Sequence, residues 1–414
     1  MQIVAVAPCV AVVTLRTRHQ ATYYLQSTQA QRTTIHPTNL TQWWRSMKDA
    51  AQKKLRDILD LCVEMEASDV HITSGVTPFM RLQGAMKPVT EEELSPFVVE
   101  QMAMGLMSDH QREVFNEVHT LDFAFFSESG TRFRLNVFRQ RGTIAMAIRR
   151  LDDEFRSVDD LTLPPQVLKI ADFKHGLVLV TGPTGSGKST TLATIIDKIN
   201  ETHAKHIITI EDPLEFIHAN KMSLVRQREL HSDVPSFHEA VRASLREDPD
   251  VLLVGELRDL PTMRAALTAA ETGHLVFSTL HTNDVVGTVS RMIGVFSAEE
   301  QDAVRNQLSR VLRAVVSQRL LRRVEGTGRV PAVEIMFVTP AIGNLVRKGE
   351  LEQIYSLMQT GNSEGMLLLE QSLASLYAFG LISKEEALSI TRDLSIFESR
   401  VQHIQETRGK MQPA

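Results

Sequence analysis

The run Gly182-Pro183-Thr184-Gly185-Ser186-Gly187-Lys188-Ser189-Thr190 decides how this chain folds. Its spacing is G-x-x-x-x-G-K-[ST], and its flanks matter more than its letters. The apolar run Gly176–Thr181 leads straight into it, and the helix-forming run Lys188–Asn200 leads out. Strand, glycine-rich bend and helix in that order make an anion cradle. The glycines let the backbone close around phosphate oxygens with its N–H groups turned inward. The helix sets the positive end of its dipole beneath them. Lys188 supplies a mobile point charge for the outer phosphates, and the Ser189 hydroxyl is a ligand for Mg²⁺. ATP with Mg²⁺ is the expected ligand of the whole run from Gly182 to Thr190.

Hydrolysis needs an acid or base near the terminal phosphate and a further acid for the metal. Val251-Leu252-Leu253-Val254-Gly255-Glu256 reads as a buried strand ending in a carboxylate. In open parallel sheets the carboxyl ends of the strands line the ligand crevice, so Glu256 is placed to orient or deprotonate the attacking water. Many such enzymes carry an Asp just before this Glu; here the residue is Gly255. A second run, Ile207–Ile210, ends in Glu211-Asp212-Pro213, where the proline stops the strand and leaves two acids at its tip. Either acid can reach Mg²⁺ through water, and a turn or cap role stays open for Asp212. The run His274–Leu280 has a histidine at its start, His274, and another just beyond its end, His281. Their odd separation points them to opposite faces, which argues against a shared zinc and leaves one to meet the γ-phosphate while the other packs.

Outward from this block the chain divides. Apolar β runs alternate with helical segments over residues 166–296, which predicts a largely parallel sheet with helices on both faces. Residues 47–150 read as a small α+β domain. Ala51, Leu55, Ile58, Leu59, Cys62 and Met65 recur at helical spacing, while Phe133, Leu135 and Val137 alternate with Arg134, Asn136 and Phe138. Residues 151–165 are charged, end in Pro164-Pro165 and read as a linker; residues 297–403 read as almost wholly helical, with a frayed tail at 404–414. Residues 1–46 are expected to be a disordered extension outside the folded unit, with Met47 as a natural start.

The 414 residues allow two or three cores, and the net charge of −5 with interspersed signs gives no basic excess for a nucleic-acid groove. Nucleic acid is not an expected partner. Two cysteines, Cys9 and Cys62, build neither a disulfide framework nor a four-cysteine zinc site. No apolar run reaches membrane-spanning length.

Around the phosphate loop, Thr209–Phe216 (TIEDPLEF), Leu245–Asp259 (LREDPDVLLVGELRD) and Thr272–Thr282 (TGHLVFSTLHT) stand in fixed order. Together they resemble the Asp box, atypical Walker B and His box of the secretion ATPases, and most closely the type IV pilus retraction motors of the PilT/PilU type. The likeness extends from about Lys48 to Arg400 and includes the runs Ala67–Ile72 and Arg132–Asn136. The resemblance implies a RecA-like ATPase core with a smaller PAS-like front domain and a helical C-terminal region. It implies a homo-hexameric cytoplasmic ring, peripheral at the inner membrane, that works a platform protein at the base of the pilus. By motif position it makes Glu256 the catalytic carboxylate, Glu211 the Asp-box acid and His281 the phosphate-facing histidine. Arg134 and Arg149 become front-domain arginines that reach the nucleotide.

Two departures keep alternatives open. Ser278–Asp284 (STLHTND) resembles the pilus-extension and type II secretion motors, although the tetracysteine insertion usual there is missing. The retraction motif AIRNLIRE reads Ala341-Ile342-Gly343-Asn344-Leu345-Val346-Arg347-Lys348, with a lost cation at Gly343 and a reversed charge at Lys348. An accessory ATP-binding subunit, working beside a paralogous retraction motor, is the alternative that this departure raises.

Overall fold

The structure is a computed structural model. It describes residues 37–82, 84–151, 155–326 and 328–411, with four short strands before them. The chain forms two compact units, residues 1–153 and 154–414.

The first unit is built on a six-stranded antiparallel sheet in the order Ala85–Pro88, Phe79–Leu82, Asp69–Thr73, Thr143–Arg150, Arg132–Gln140, Thr120–Phe126. The alternation read in the sequence sets its faces: Phe133, Leu135 and Val137 are buried in the core, and Arg134, Asn136 and Phe138 between and after them are half-buried. Against that face lies the helix Pro37–Glu64, which buries Ala51, Leu55, Ile58, Leu59 and Cys62. Two further helices, Pro96–Leu106 and Asp109–Val118, add Val99, Met102 and Phe115. Ser95 and Ser108 cap them through their side-chain oxygens.

The second unit carries a seven-stranded sheet ordered Leu224–Glu229, His206–Glu211, Val251–Val254, Leu275–Leu280, Gly176–Thr181, Leu312–Arg322, Arg329–Phe337. All neighbours are parallel except the last pair. Its inner strands are mostly apolar because helices cover both faces; Gly176–Thr181 and Leu275–Leu280 are buried end to end, with Thr181, Ser278 and Thr279 as their polar exceptions. The α/β core and the smaller α+β domain before it are those expected from the sequence.

Four boundaries differ from expectation. Residues 297–403 are not almost wholly helical: Leu312–Arg322 and Arg329–Phe337 extend the central sheet by two strands. The run Val311–Leu321 fits helix and strand spacing alike, and its place beside the phosphate-loop strand decides for strand. Most of the expected linker at 151–165 belongs to the second unit, where Val158 and Leu163 are buried in its core. The helix Leu394–Met411 runs through the expected tail. The expected disordered extension at 1–46 falls partly outside the described residues. Where the backbone is described, Val4–Ala5, Cys9–Leu15, Ala21–Ser27 and Thr33–Thr34 pair as antiparallel strands, and the first helix already starts at Pro37.

Candidate active site

The parallel sheet ends its strands Val251–Val254, Leu275–Leu280 and Gly176–Thr181 side by side, so Glu256, His281 and the loop from Gly182 leave one edge together. The helix Lys188–Thr202 starts directly after the loop, with Gly187 at its N-cap in the left-handed region at φ 86°. Gly182 is more constrained still. A Cβ there would lie 2.2 Å from the Gln318 carbonyl oxygen, and its φ is 143°. Pro183, Thr184 and Gly185 are exposed, Ser189 and Thr190 are half-buried, and Ser186 is buried.

Lys188 folds back over the loop, with Nζ donating to the Gly182 carbonyl at 2.9 Å and the Pro183 carbonyl at 3.1 Å. Burial lowers its pKa, while the Glu256 and Glu215 carboxylates pull it back up. The ammonium therefore feels the carboxylate that the sequence assigns to water activation.

Glu256 is held from both sides. Its Oε2 lies 3.3 Å from His281 Nε2, and its Oε1 meets Arg258 Nε. Its side chain is 13% exposed, against 53% for His281. The turn that presents it is fixed by neighbouring strands: Ser278 Oγ donates to the Val254 carbonyl at 2.6 Å and Thr279 Oγ1 to the Gly255 carbonyl at 2.7 Å. Gly255 sits against the Ile210 carbonyl, which a Cβ would approach to 3.3 Å. An acid at that position would be crowded, so the Gly has a packing reason. Arg258 also reaches Asp212, at 3.8 Å, and thereby links two strand tips.

Glu211 lies one strand further out. Loss of hydration pushes its carboxyl up to about 7 against hydrogen bonds from Thr209 and Gln227 that pull it down. Thr209 Oγ1 donates to it at 2.7 Å. His274 takes no part: it stands at the opposite, amino end of its strand, with Nδ1 3.0 Å from the Ala269 carbonyl. Arg134 and Arg149 belong to the first unit. Arg149 Nε donates to Asp69 Oδ1 at 2.8 Å, and Arg134 Nε is 3.9 Å from Asp122 Oδ1.

Among the described residues no group of three or more His, Cys, Asp or Glu is arranged to hold a metal by itself. The donors near the loop are a hydroxyl and carboxylates, the hard oxygens that suit Mg²⁺, and Mg²⁺ binds through one or two protein groups plus phosphate oxygens and water. Sequence reasoning missed two residues here. Arg258 follows Glu256 within the quoted motif, but nothing in its spacing says which acid it pairs with. Gln318 lies in a run read as helix.

The sequence profile of the family described as "Type II/IV secretion system protein" matches residues 47–364. The chain is 46% identical over 333 residues to the "Type IV pilus retractation ATPase PilT" of Pseudomonas aeruginosa, an alignment covering 80% of this chain and 96% of that one. It is 47% identical over 329 residues to the "Twitching motility protein" of Neisseria gonorrhoeae, covering 78% and 88% respectively. Among solved structures, "Crystal Structure of the Pilus Retraction Motor PilT and Bound ADP" superposes with a TM-score of 0.77 at 45% identity, covering 83% of this chain and 98% of that one.

Proposed function

The chain belongs to the family of type II/IV secretion system proteins, and from that membership we propose that it is the ATP-hydrolysing motor of type IV pilus retraction and twitching motility. One observation carries the reading: Glu256, paired with His281, leaves the sheet edge beside the phosphate loop and acts electrostatically on Lys188.

The residues divide the work. The amides of the loop from Gly182 to Thr190 and the helix end at Lys188 grip the phosphates. Lys188 exchanges the Gly182 and Pro183 carbonyls for the β and γ oxygens. Glu256 takes or orients the proton of the attacking water, and His281 faces the terminal phosphate from the next strand tip. Ser189, with water and Glu211 or Asp212, would hold Mg²⁺, which would supply positive charge against the phosphates. Arg134 and Arg149 are the front-domain cations that meet the nucleotide, tying domain movement to transition-state charge. The working form is a homo-hexamer that acts on a platform protein at the inner membrane. No helix among the described residues is long and apolar enough to cross a membrane, which suits peripheral attachment through that partner. Retraction is favoured over extension, type II secretion or an accessory subunit because the relatives named for retraction align over most of the chain.

The test is ATP binding and turnover by the purified full chain. Wild type is expected to bind and hydrolyse ATP. Lys188→Ala is expected to lose binding, and Glu256→Gln to keep binding while turnover falls by about 10²-fold or more. Undiminished turnover in Glu256→Gln sinks the assignment.

A further inference from the structure

Gln318 sits on the strand Leu312–Arg322, which flanks the phosphate-loop strand on the side away from Glu256. Thr181 pairs with Ser317, so Gln318 lies level with Gly182 at the mouth of the loop. It is 2% exposed, and both ends of its amide are used. Nε2 donates to the Ser186 carbonyl at 2.7 Å, and Oε1 accepts from Thr191 Oγ1 at 2.8 Å. Thr191, 1% exposed, stands in the first turn of the helix that follows the loop. One side chain therefore staples the loop to its helix. The amide's orientation follows from its partners: the Ser186 carbonyl only accepts, so the NH₂ end must face it.

We propose that Gln318 is a positioning residue for nucleotide binding, which turns the Ser186–Gly187 peptide so that the Gly187 N–H faces the phosphate. The inference rests on the ATPase reading above. A planar trans peptide holds its C=O and N–H on opposite edges. Asp212–Pro213 is the only cis peptide among the described residues, so the Ser186–Gly187 bond is trans. Pulling the Ser186 carbonyl toward Gln318 therefore drives the Gly187 N–H the other way. No acceptor within the chain takes that N–H among the described residues, which leaves it for an anion. The loop is fitted to this clamp. A Cβ on Gly187 would lie 2.8 Å from Gln318 Nε2, and one on Gly182 would strike the Gln318 carbonyl. Two loop glycines thus answer to one residue.

Three variants of the full chain separate the parts. Gln318→Glu keeps the acceptor for Thr191 but sets an oxygen against the Ser186 carbonyl. Gln318→Leu removes both bonds at similar volume. Thr191→Val frees the amide to turn. The measurements are the Kd for a slowly hydrolysed fluorescent ATP analogue with Mg²⁺, and the split between KM and kcat for ATP. Both Gln318 variants are expected to raise Kd and KM by about tenfold, the loss of the one hydrogen bond from the Gly187 N–H to phosphate, with kcat nearly unchanged. Thr191→Val is expected to move the same constants less. The inference is overturned if folded Gln318 variants bind like wild type, or if only kcat falls. Should the Gln318 variants fail to fold by circular dichroism, a wild-type Kd in Thr191→Val overturns it instead. Wild type and Lys188→Ala are the controls: equal binding by those two sinks the nucleotide reading itself, and this inference with it.

Discussion

At the scale of single residues, the site works by holding charges where water cannot fully screen them. Glu256 hangs between Arg258 and His281, so the group assigned to water activation is oriented before any substrate arrives. Glu211 is tuned the other way, with lost hydration pushing its carboxyl up to about 7 from 4.5. That has a sign for stability. Between those two values the folded chain holds a proton that the unfolded chain has released. Stability from this group is thus full at the acid end and lost as pH rises through about 7. Glu211→Gln, which keeps the shape and removes the titration, is expected to flatten the fall in melting temperature between pH 5 and pH 7.5. Parallel wild-type and variant curves across that window refute the shift. The placement of Glu256 and Glu211 at strand tips was legible in the sequence because a strand tip is a position that spacing can find; for the histidines spacing left His274 and His281 equal, and the resemblance chose His281. Arg258 was not, since its pairing depends on how far a long side chain reaches and which acid it meets.

At the scale of elements, legibility followed the uniqueness of the pattern. Gly176–Thr181 and Lys188–Thr202 are flanked by signals no other reading explains, and they appear nearly where expected. Leu312–Arg322 was mistaken for helix because its β-branched run satisfies both periods, and only pairing with the phosphate-loop strand settles it. Gly343 is a different lesson. In the helix Pro340–Lys348 its Cβ would come 3.1 Å from the Ser309 carbonyl, so the missing side chain allows close packing on the helix Gln301–Val311. Lys348 falls in the last turn of that helix, where a cation suits the dipole. The C-terminal helices are tied to the sheet by a buried ion cluster. Arg392 Nη2 bonds Glu334 at 2.5 Å, its backbone N–H bonds Glu370 at 3.1 Å, and Glu334 also accepts from the Val285 N–H at 3.1 Å. Glu334 and Glu370 are 1% and 0% exposed. Removing the cation strands two buried carboxylates, which costs far more than the pair contributes when intact. Arg392→Met is therefore expected to lose about 3 kcal/mol, read from the chemical denaturation midpoint. Adding Glu334→Gln in that background is expected to recover part of the loss. A midpoint within error of wild type in the single variant sinks this account.

At the scale of the whole molecule, one unit supplies the phosphate grip and the strand-tip acids, and the other carries Arg134 and Arg149 on a separate antiparallel sheet. On the reading proposed above, the second unit turns over ATP and Arg134 and Arg149 of the first couple that turnover to work, so loss of hydrolysis and loss of force are expected to be separable. By its resemblance the sequence reads as a retraction motor, with extension kept as an alternative because Ser278–Asp284 resembles that class; the relatives named for retraction align over most of the chain. A cell separates the two. Deleting the gene and complementing with wild type is expected to restore twitching, whereas complementing with Glu256→Gln is expected to leave cells non-motile yet densely piliated. Pili still assemble there and are no longer withdrawn. Arg134→Ala with Arg149→Ala is expected to give that same phenotype with ATP binding by the purified chain retained, since the loss then lies in coupling the two units. Bald cells after deletion would assign the motor to extension, and full twitching in the Glu256→Gln strain would remove hydrolysis from the work altogether.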